Sequence, residues 1–189
     1  MVIKITDDVL QAFLTKPKEK LHLADISRKI NVPHPTARQW LNKLEKTGVL
    51  LKEHKGRLTL YSLKMESPNI IDYLAIAEKQ ELIKKCNESL IIKELASELQ
   101  RAMPENTKAI IFGSAAESPA KAQDIDLLVT GTADEKAIRE LGKKLNKEIH
   151  LIAVRSLSQV TKALKEEIIK KHIIIRGTDD VLRWMIWQA

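Results

Sequence analysis

The chain has 189 residues, a length that suits one large domain or two small ones. Apolar residues make up 44% of the sequence and charged residues 30%, so a buried core is available and a wholly disordered chain is excluded. Cys86 is the only cysteine, which excludes an intramolecular disulfide and a cysteine-based zinc site. The start of the chain lacks a signal-peptide pattern, and no apolar run approaches the ~20 residues of a membrane helix. We therefore expect a cytoplasmic protein with no membrane partner.

The positive charge is concentrated in the first third of the chain. The formal net charge is +7 at pH 7, and residues 1–66, with 13 basic and 7 acidic side chains, carry +6 of it. An excess of this kind favours a polyanionic partner for that region alone. A solubilising surface is the alternative explanation, and charge by itself does not decide between the two.

Residues 6–65 are predicted to form three short helices followed by a β-hairpin. Apolar residues in three segments recur at i, i+3 and i+4, the spacing of a helix with one buried face. The predicted elements are a helix that Thr6 caps, helices over 23–30 and 34–46, and strands over 50–53 and 57–63. Gly48 ends the third helix, and the turn His54-Lys55-Gly56 joins the two strands.

This order of elements, over residues 21–63, resembles the winged helix family. Residues 34–50 look like its recognition helix leading into the wing. With Trp40 and Leu44 buried, the opposite face of that helix presents side chains of the types that bond base edges and phosphates in a major groove. The candidate DNA-binding residues of the helix and the wing are Thr36, Arg38, Gln39, Asn42, Lys43, Lys55 and Arg57, and Lys52 of the wing is also expected near a flanking phosphate or the minor groove. Double-stranded DNA is the expected partner, although winged helices also serve as protein-interaction modules.

The rest of the chain begins with helices and then alternates strands and helices, which is typical of an α/β sheet. The elements predicted after Ser67-Pro68-Asn69 are helices over 70–85 and 88–103, strands over 109–112 and 125–129, a helix over 132–147, a strand over 149–154, a helix over 157–171, a strand over 173–175 and a helix over 178–187. The capping box Thr132-Ala133-Asp134-Glu135 is expected to open the helix over 132–147.

A glycine turn and a pair of carboxylates carry the clearest chemical signal. Gly113 and Ser114 follow a predicted strand, and after nine further residues come Asp124 and Asp126. Glycine permits close approach of a phosphate to the backbone, and Ser114 adds a hydroxyl and an amide for its oxygens. The two aspartates are two apart on a strand, so they share one face and can hold Mg²⁺ bridged to triphosphate oxygens. The pattern resembles the Gly-Ser…Asp-x-Asp signature of the nucleotidyltransferase superfamily that includes DNA polymerase beta.

The sequence departs from that superfamily at the third carboxylate. Active members usually carry it on a following strand, where it completes the metal site and acts as base. Residues 147–154 are the strand available, and they place His150 where an aspartate is expected. Glu148 lies two residues earlier on the same face and is the remaining candidate for a third metal ligand. Imidazole is a poor ligand for Mg²⁺, so this departure favours weak or absent transfer, whereas a site that Glu148 completes would be active.

Over nearly the whole chain the sequence resembles prokaryotic, largely archaeal, winged-helix proteins fused to a minimal nucleotidyltransferase domain. The expected fold class is a two-domain α+β and α/β chain. We expect a winged helix-turn-helix domain over 1–66, with three helices and a β-hairpin, and a linker helix over 67–87. Residues 88–189 are expected to form a mixed sheet with helices, followed by a carboxyl-terminal helical extension.

Three functions fit these features. The first is a Mg²⁺-dependent transferase that moves a nucleoside monophosphate from an NTP to an acceptor hydroxyl and is targeted by the winged helix. The second is a DNA-binding regulator of transcription whose second domain binds Mg²⁺ and NTP with weak or no transfer. The third is an antitoxin-like module that binds a protein partner. A second copy of the chain, paired through the linker helix, is a further candidate partner.

Overall fold

The computed structural model describes residues 4–131 and 134–187. The chain divides into two compact units, Met1–Glu78 and Lys79–Ala189. Before the helix in which it ends, the first unit has three helices followed by two long strands, with one short strand between the first two helices. Its elements are α1 (Lys4–Leu14), β1 (Leu21–His22), α2 (Leu23–Lys29), α3 (His34–Lys46), β2 (Leu50–Lys55) and β3 (Leu58–Leu63).

The three strands form one antiparallel sheet in the order β1-β3-β2. The predicted hairpin is present as β2 and β3, but its turn is Gly56 and Arg57 rather than residues 54–56, because Lys55 pairs with Leu58. The strand β1, which pairs Leu21 with Tyr61, is absent from the sequence prediction. Two residues are too few for a hydrophobic period to show, so only its pairing with β3 identifies this strand.

The helices of the first unit pack around a core of aliphatic and aromatic side chains. The helix α1 contacts both α2 and α3, and it buries Leu10 and Phe13 completely. From α3, Leu41 and Leu44 enter the same core, whereas Trp40 is only half-buried, contrary to expectation. The prediction that Thr6 caps α1 is wrong, because Lys4 and Ile5 before it are already helical.

The helix α4 (Ile70–Glu88) contains the division between the two units. Its buried residues, among them Ile70, Leu74 and Ala77, all lie before Lys79. The first half of α4 therefore belongs to the amino-terminal unit, where the sequence suggested a separate linker over 67–87. No helix that the structure describes, α4 included, has the length and apolar character needed to cross a bilayer.

The second unit is built around a four-stranded mixed sheet. Its elements after α4 are α5 (Leu90–Ala102), β4 (Lys108–Phe112), α6 (Ser114–Glu117), β5 (Asp124–Thr130), α7 (Glu135–Leu145), β6 (Glu148–Val154), a 3₁₀ turn (Leu157–Gln159), α8 (Lys162–Lys170), β7 (His172–Arg176) and α9 (Thr178–Trp187). The strand order is β6-β5-β4-β7. The pair β5 and β6 is parallel, while β4 runs antiparallel to both β5 and β7.

The central strands β4 and β5 are buried because helices cover the sheet. Their apolar residues form one cluster with the inward faces of α5 and α7, including Leu95, Leu99 and Ile138. The predicted capping box at α7 is only partly within the described residues, since Thr132 lies outside them. The side chain of Asp134 caps this helix by accepting a hydrogen bond from the amide of Ala137. The buried strands hold the end of β4 and the start of β5 side by side.

Candidate functional site

The turn between β4 and α6 requires glycine at position 113. Gly113 has φ +69° and ψ −145°, a conformation that side chains disfavour. A Cβ atom at this position would lie 2.7 Å from Oδ2 of Asp126. The sequence predicted a glycine that leaves space for a phosphate. The structure adds a second reason, because this glycine also leaves space for the Asp126 carboxylate.

Asp124 and Asp126 lie on one face at the start of β5. Both side chains are partly exposed, whereas the alternating residues Ile125 and Leu127 are buried. On the neighbouring parallel strand β6, Glu148 is opposite Asp124 and His150 is opposite Asp126. The pairing of β5 with β6 thus assembles two carboxylates, one imidazole and one further carboxylate at a single edge of the sheet.

His150 lies between the two aspartates. Its Nδ1 atom is 3.5 Å from Oδ2 of Asp124 and 3.5 Å from Oδ1 of Asp126, and its Nε2 atom is 3.5 Å from Oε1 of Glu148. The Glu148 side chain is 77% exposed and neighbours the far side of the imidazole ring. Within residues 4–131 and 134–187, no three His, Cys, Asp or Glu side chains are arranged to hold a metal ion.

A cleft of about 410 Å³ opens beside this cluster. Its lining residues are Ser114, Glu117, Ser118, Lys121, Ala122, Gln123 and Asp124. Lys121 is exposed, and its ammonium group makes no hydrogen bond or ion pair with any described residue. Sequence reasoning missed Lys121, although a basic residue in the nine-residue interval between Ser114 and Asp124 was a usable signal. The cleft therefore offers a free cation next to the serine hydroxyl.

Three lysines hold the chain segment that borders the cleft. Lys171 contacts Oε2 of Glu117 at 2.5 Å, and Lys85 donates to the carbonyl oxygen of Glu117 at 3.1 Å. The hydrogen bond from Lys171 lowers the pKa of the Glu117 carboxyl below its ordinary value. Lys147 donates to the carbonyl oxygen of Ala122. The segment is therefore anchored near both ends, which leaves Ser118 and Lys121 exposed between the anchors.

The candidate DNA-binding residues lie on α3 and on the hairpin of the first unit. Arg38, Gln39 and Lys43 are exposed on α3, and Thr36 is partly exposed. Lys55 and Arg57 are exposed at the hairpin tip. Asn42 differs from these residues, because its Oδ1 accepts hydrogen bonds from Lys52 Nζ at 2.9 Å and from Tyr61 OH at 3.3 Å.

One comparison with known proteins bears on the second unit. Residues 92–180 match the family model of the nucleotidyltransferase domain. This match confirms the nucleotidyltransferase part of the resemblance predicted from the sequence. The matched range contains Gly113, Ser114, both aspartates and His150. No curated protein and no solved structure matches the chain. We refer to the matched region below as the nucleotidyltransferase-like domain.

The match begins at residue 92, so it leaves the amino-terminal unit without a family assignment. The winged helix and the archaeal origin stay predictions from the sequence. The geometry of the nucleotidyltransferase-like domain can support ligand binding in its cleft. Whether a nucleotide bound there could also be transferred depends on the cluster of Asp124, Asp126, Glu148 and His150.

Proposed function

We propose that the protein is a DNA-binding winged-helix regulator whose nucleotidyltransferase-like domain binds Mg²⁺ and NTP with weak or no transfer. The weak or absent transfer in this proposal rests on one observation: an imidazole lies opposite Asp126, with Nδ1 3.5 Å from an oxygen of each aspartate. In the superfamily the corresponding strand usually supplies a third carboxylate. The family match and the cleft support nucleotide binding, while His150 argues against efficient catalysis.

Nucleotide binding is supported by the groups around the cleft. The glycine turn at Gly113 lets a phosphate approach the backbone, and Ser114 supplies a hydroxyl at its edge. Lys121 adds a positive charge on the same cleft. Mg²⁺ is commonly bound in proteins through one or two carboxylates together with substrate phosphates. Asp124 and Asp126 therefore fit one Mg²⁺ that arrives with a triphosphate, and this ion would neutralise phosphate charge when bound.

Weak or absent transfer follows from what the cluster lacks. The third carboxylate at this edge, Glu148, is 77% exposed and lies 3.5 Å from Nε2 of His150, whereas the aspartates neighbour Nδ1 of that ring. Among the described residues, no three such side chains are arranged to hold a metal ion. Loss of a positioned general base costs about 10²- to 10⁴-fold in rate. The imidazole also offers nitrogen where Mg²⁺ prefers a hard oxygen ligand. The domain is thus suited to holding a nucleotide more than to activating an acceptor hydroxyl.

DNA binding is supported by the charge and the exposed side chains of the amino-terminal unit. Residues 1–66 carry most of the net positive charge, and Arg38, Lys43, Lys55 and Arg57 are exposed. Exposed arginine and lysine side chains of this kind bind phosphates, and glutamine and asparagine bind base edges. In this proposal α3 enters the major groove and the hairpin contacts the flanking backbone.

Active transfer is the second candidate, and the position of Glu148 favours it. Glu148 is opposite Asp124 in the parallel pair, so a different rotamer of this exposed side chain would bring a third carboxylate nearer the aspartates. In that case Glu148 completes the metal site and wild-type protein transfers nucleotide. The two candidates make opposite predictions for variants at positions 148 and 150.

The first prediction concerns the Mg²⁺ affinity and the nucleotide transfer of these variants. Replacing His150→Asp should raise Mg²⁺ affinity roughly tenfold, since the charge of the ligand set tunes affinity for divalent cations. Wild type should release little or no pyrophosphate from labelled NTPs. Mg²⁺ binding is measured by calorimetry, and transfer is measured by isotope release, in wild type, His150→Asp, Glu148→Gln and Asp126→Asn.

The pattern across the four proteins separates the candidates. Measurable wild-type transfer that Glu148→Gln removes would establish the active enzyme and contradict the regulator proposal. Transfer that persists in Asp126→Asn would exclude both, because each requires the aspartate pair. The thermal unfolding of His150→Asp is compared with that of wild type, and an equal Tm shows that the variant is folded.

A second prediction tests the cleft through Lys121. Replacing Lys121→Gln should weaken NTP binding about tenfold, because a hydrogen bond to a charged group contributes about 1.5 kcal/mol or more. Binding is measured as the rise in Tm with Mg²⁺ and each NTP, since a ligand that binds only the native state must raise it. Lys143→Gln, an exposed lysine of α7, is the matched control and should bind as wild type does.

A wild-type Tm that no NTP changes would refute nucleotide binding altogether. An equal Tm response in the Lys121 variant and in wild type would leave nucleotide binding intact and remove Lys121 from the site.

A further inference from the structure

The side chain of Asn42 on α3 is held by two donors from the hairpin. Lys52 Nζ lies 2.9 Å from Oδ1 of Asn42, and the Tyr61 hydroxyl lies 3.3 Å from the same oxygen. Lys52 Nζ also lies 5.9 Å from the centroid of the Tyr61 ring, so the three side chains form one group. This group links the middle of α3 to both strands of the hairpin.

The chemistry of these donors fixes which way the carboxamide of Asn42 points. A lysine ammonium can only donate hydrogen bonds, so the amide atom that it contacts must be the oxygen. The amide oxygen can only accept, so the Tyr61 hydroxyl, 3.3 Å away, must donate to it. Tyr61 is 1% exposed, and burial raises the pKa of its hydroxyl, which favours the protonated form that donates. The two donors together use both acceptor sites of Oδ1.

The amide nitrogen of Asn42 is left with two unused N–H groups. Nδ2 donates to no atom of the described residues. It is also not among the buried polar atoms that lack a hydrogen-bond partner there, so solvent reaches it. Asn42 follows Arg38 by one helical turn, which places the two side chains on the same face of α3. Asn42, with its free N–H groups, thus belongs to the face of α3 that is proposed to enter the groove.

We infer that Asn42 reads a base as a donor only and selects guanine at its position in the DNA site. This inference rests on the proposed DNA binding. An unconstrained asparagine favours adenine, because its oxygen accepts from N6 while its nitrogen donates to N7. With Oδ1 occupied by Lys52 and Tyr61, that paired contact is lost. Guanine presents two acceptors, N7 and O6, side by side, whereas adenine and thymine each present a single acceptor and cytosine presents a donor. A group that only donates therefore gains most from guanine.

The experiment is selection of bound duplexes from a randomised pool by the full-length protein, followed by sequencing. Wild type should show a position where guanine exceeds adenine by roughly tenfold, the lower range for a specific base contact. Asn42→Ala should remove that preference. Asn42→Asp should remove it as well, although it keeps the acceptor oxygen that Lys52 and Tyr61 use and so preserves their link.

The double variant Lys52→Met with Tyr61→Phe gives the sharper result. It frees Oδ1 of Asn42 while it keeps apolar packing in the hairpin. The frequency of adenine among the selected duplexes should therefore rise at the Asn42-dependent position. Tyr61→Phe alone should give a smaller rise in adenine frequency. This single variant keeps the test available if the double variant does not fold. A uniform loss of affinity without a change of base preference is what a merely structural role would produce, and it would overturn the inference.

A preference of wild type for adenine at the Asn42-dependent position would also overturn the inference. The inference would fail as well if Asn42→Ala left all base preferences unchanged. Failure of wild type to bind any duplex would instead refute the proposed DNA binding, and the inference would fall with it. Selected sites with the expected guanine, together with the adenine gain in the double variant, would establish both.

Discussion

Replacing Gly113→Ala is expected to abolish the nucleotide-dependent rise in Tm and to lower the free energy of unfolding by about 1–3 kcal/mol. Gly113 has φ +69°, and an added Cβ would lie 2.7 Å from Oδ2 of Asp126. The carboxylate must shift or the turn must open, and either movement disturbs the edge of the cleft. Urea unfolding measures the loss of stability, and thermal shift with Mg²⁺ and NTP measures binding.

The matched control for this prediction is Gly56→Ala in the hairpin turn. Gly56 also has a positive φ, of +60°, but no atom lies within 4 Å of the Cβ that alanine would add. This variant therefore carries the backbone strain without the collision, and its nucleotide response should equal that of wild type. A Gly113→Ala protein that binds NTP as wild type does would show that the turn takes no part in phosphate binding.

Removal of Arg38 and Lys43 together is expected to weaken binding to duplex DNA by at least about tenfold and to reduce its salt dependence. Each phosphate contact contributes about 0.9 to the slope of log K against log salt, so two lost contacts lower the slope by about 1.8. Both side chains are exposed on α3, and the double alanine variant should leave the fold unchanged. Affinity is measured by fluorescence anisotropy over a series of salt concentrations.

The control is the double variant Lys16→Ala with Lys18→Ala, in the turn after α1. It removes the same two positive charges from exposed positions of the same unit. If the control reduced the slope as much as the α3 variant does, net charge rather than the α3 surface would explain binding. Unchanged affinity in the α3 variant would show that α3 does not contact DNA.

Local sequence signals predicted most of the fold where an element is long and well bounded. The run of apolar residues at 125–129 corresponds to β5, and the segment 178–187, predicted as a helix, corresponds to α9. The segment over 157–171 was predicted as one helix, yet it is a 3₁₀ turn followed by α8. Thr161 starts α8 by accepting a hydrogen bond from the amide of Leu164. Because Thr161 lies within a continuous apolar period, periodicity alone does not reveal this break.

The candidate site was predictable only in part because its geometry depends on contacts between distant elements. A spacing of two residues on a strand suffices to place Asp124 and Asp126 on one face. The approach of His150 to both of them requires the parallel register of β5 and β6, which the sequence does not encode locally. The hydrogen bonds that Lys52 and Tyr61 donate to Asn42 likewise depend on how the hairpin packs against α3.

The parallel register of β5 and β6 places residue 150 opposite Asp126, so the residue type at this one position decides whether β6 adds a carboxylate there during evolution. Either histidine codon becomes an aspartate codon through exchange of its first base alone. The chain is therefore a single nucleotide substitution from a strand that carries a carboxylate at this position. A lineage with this fold can gain or lose the third acid in one mutational step, so related sequences should be sorted by residue 150 before any shared activity is assigned to them.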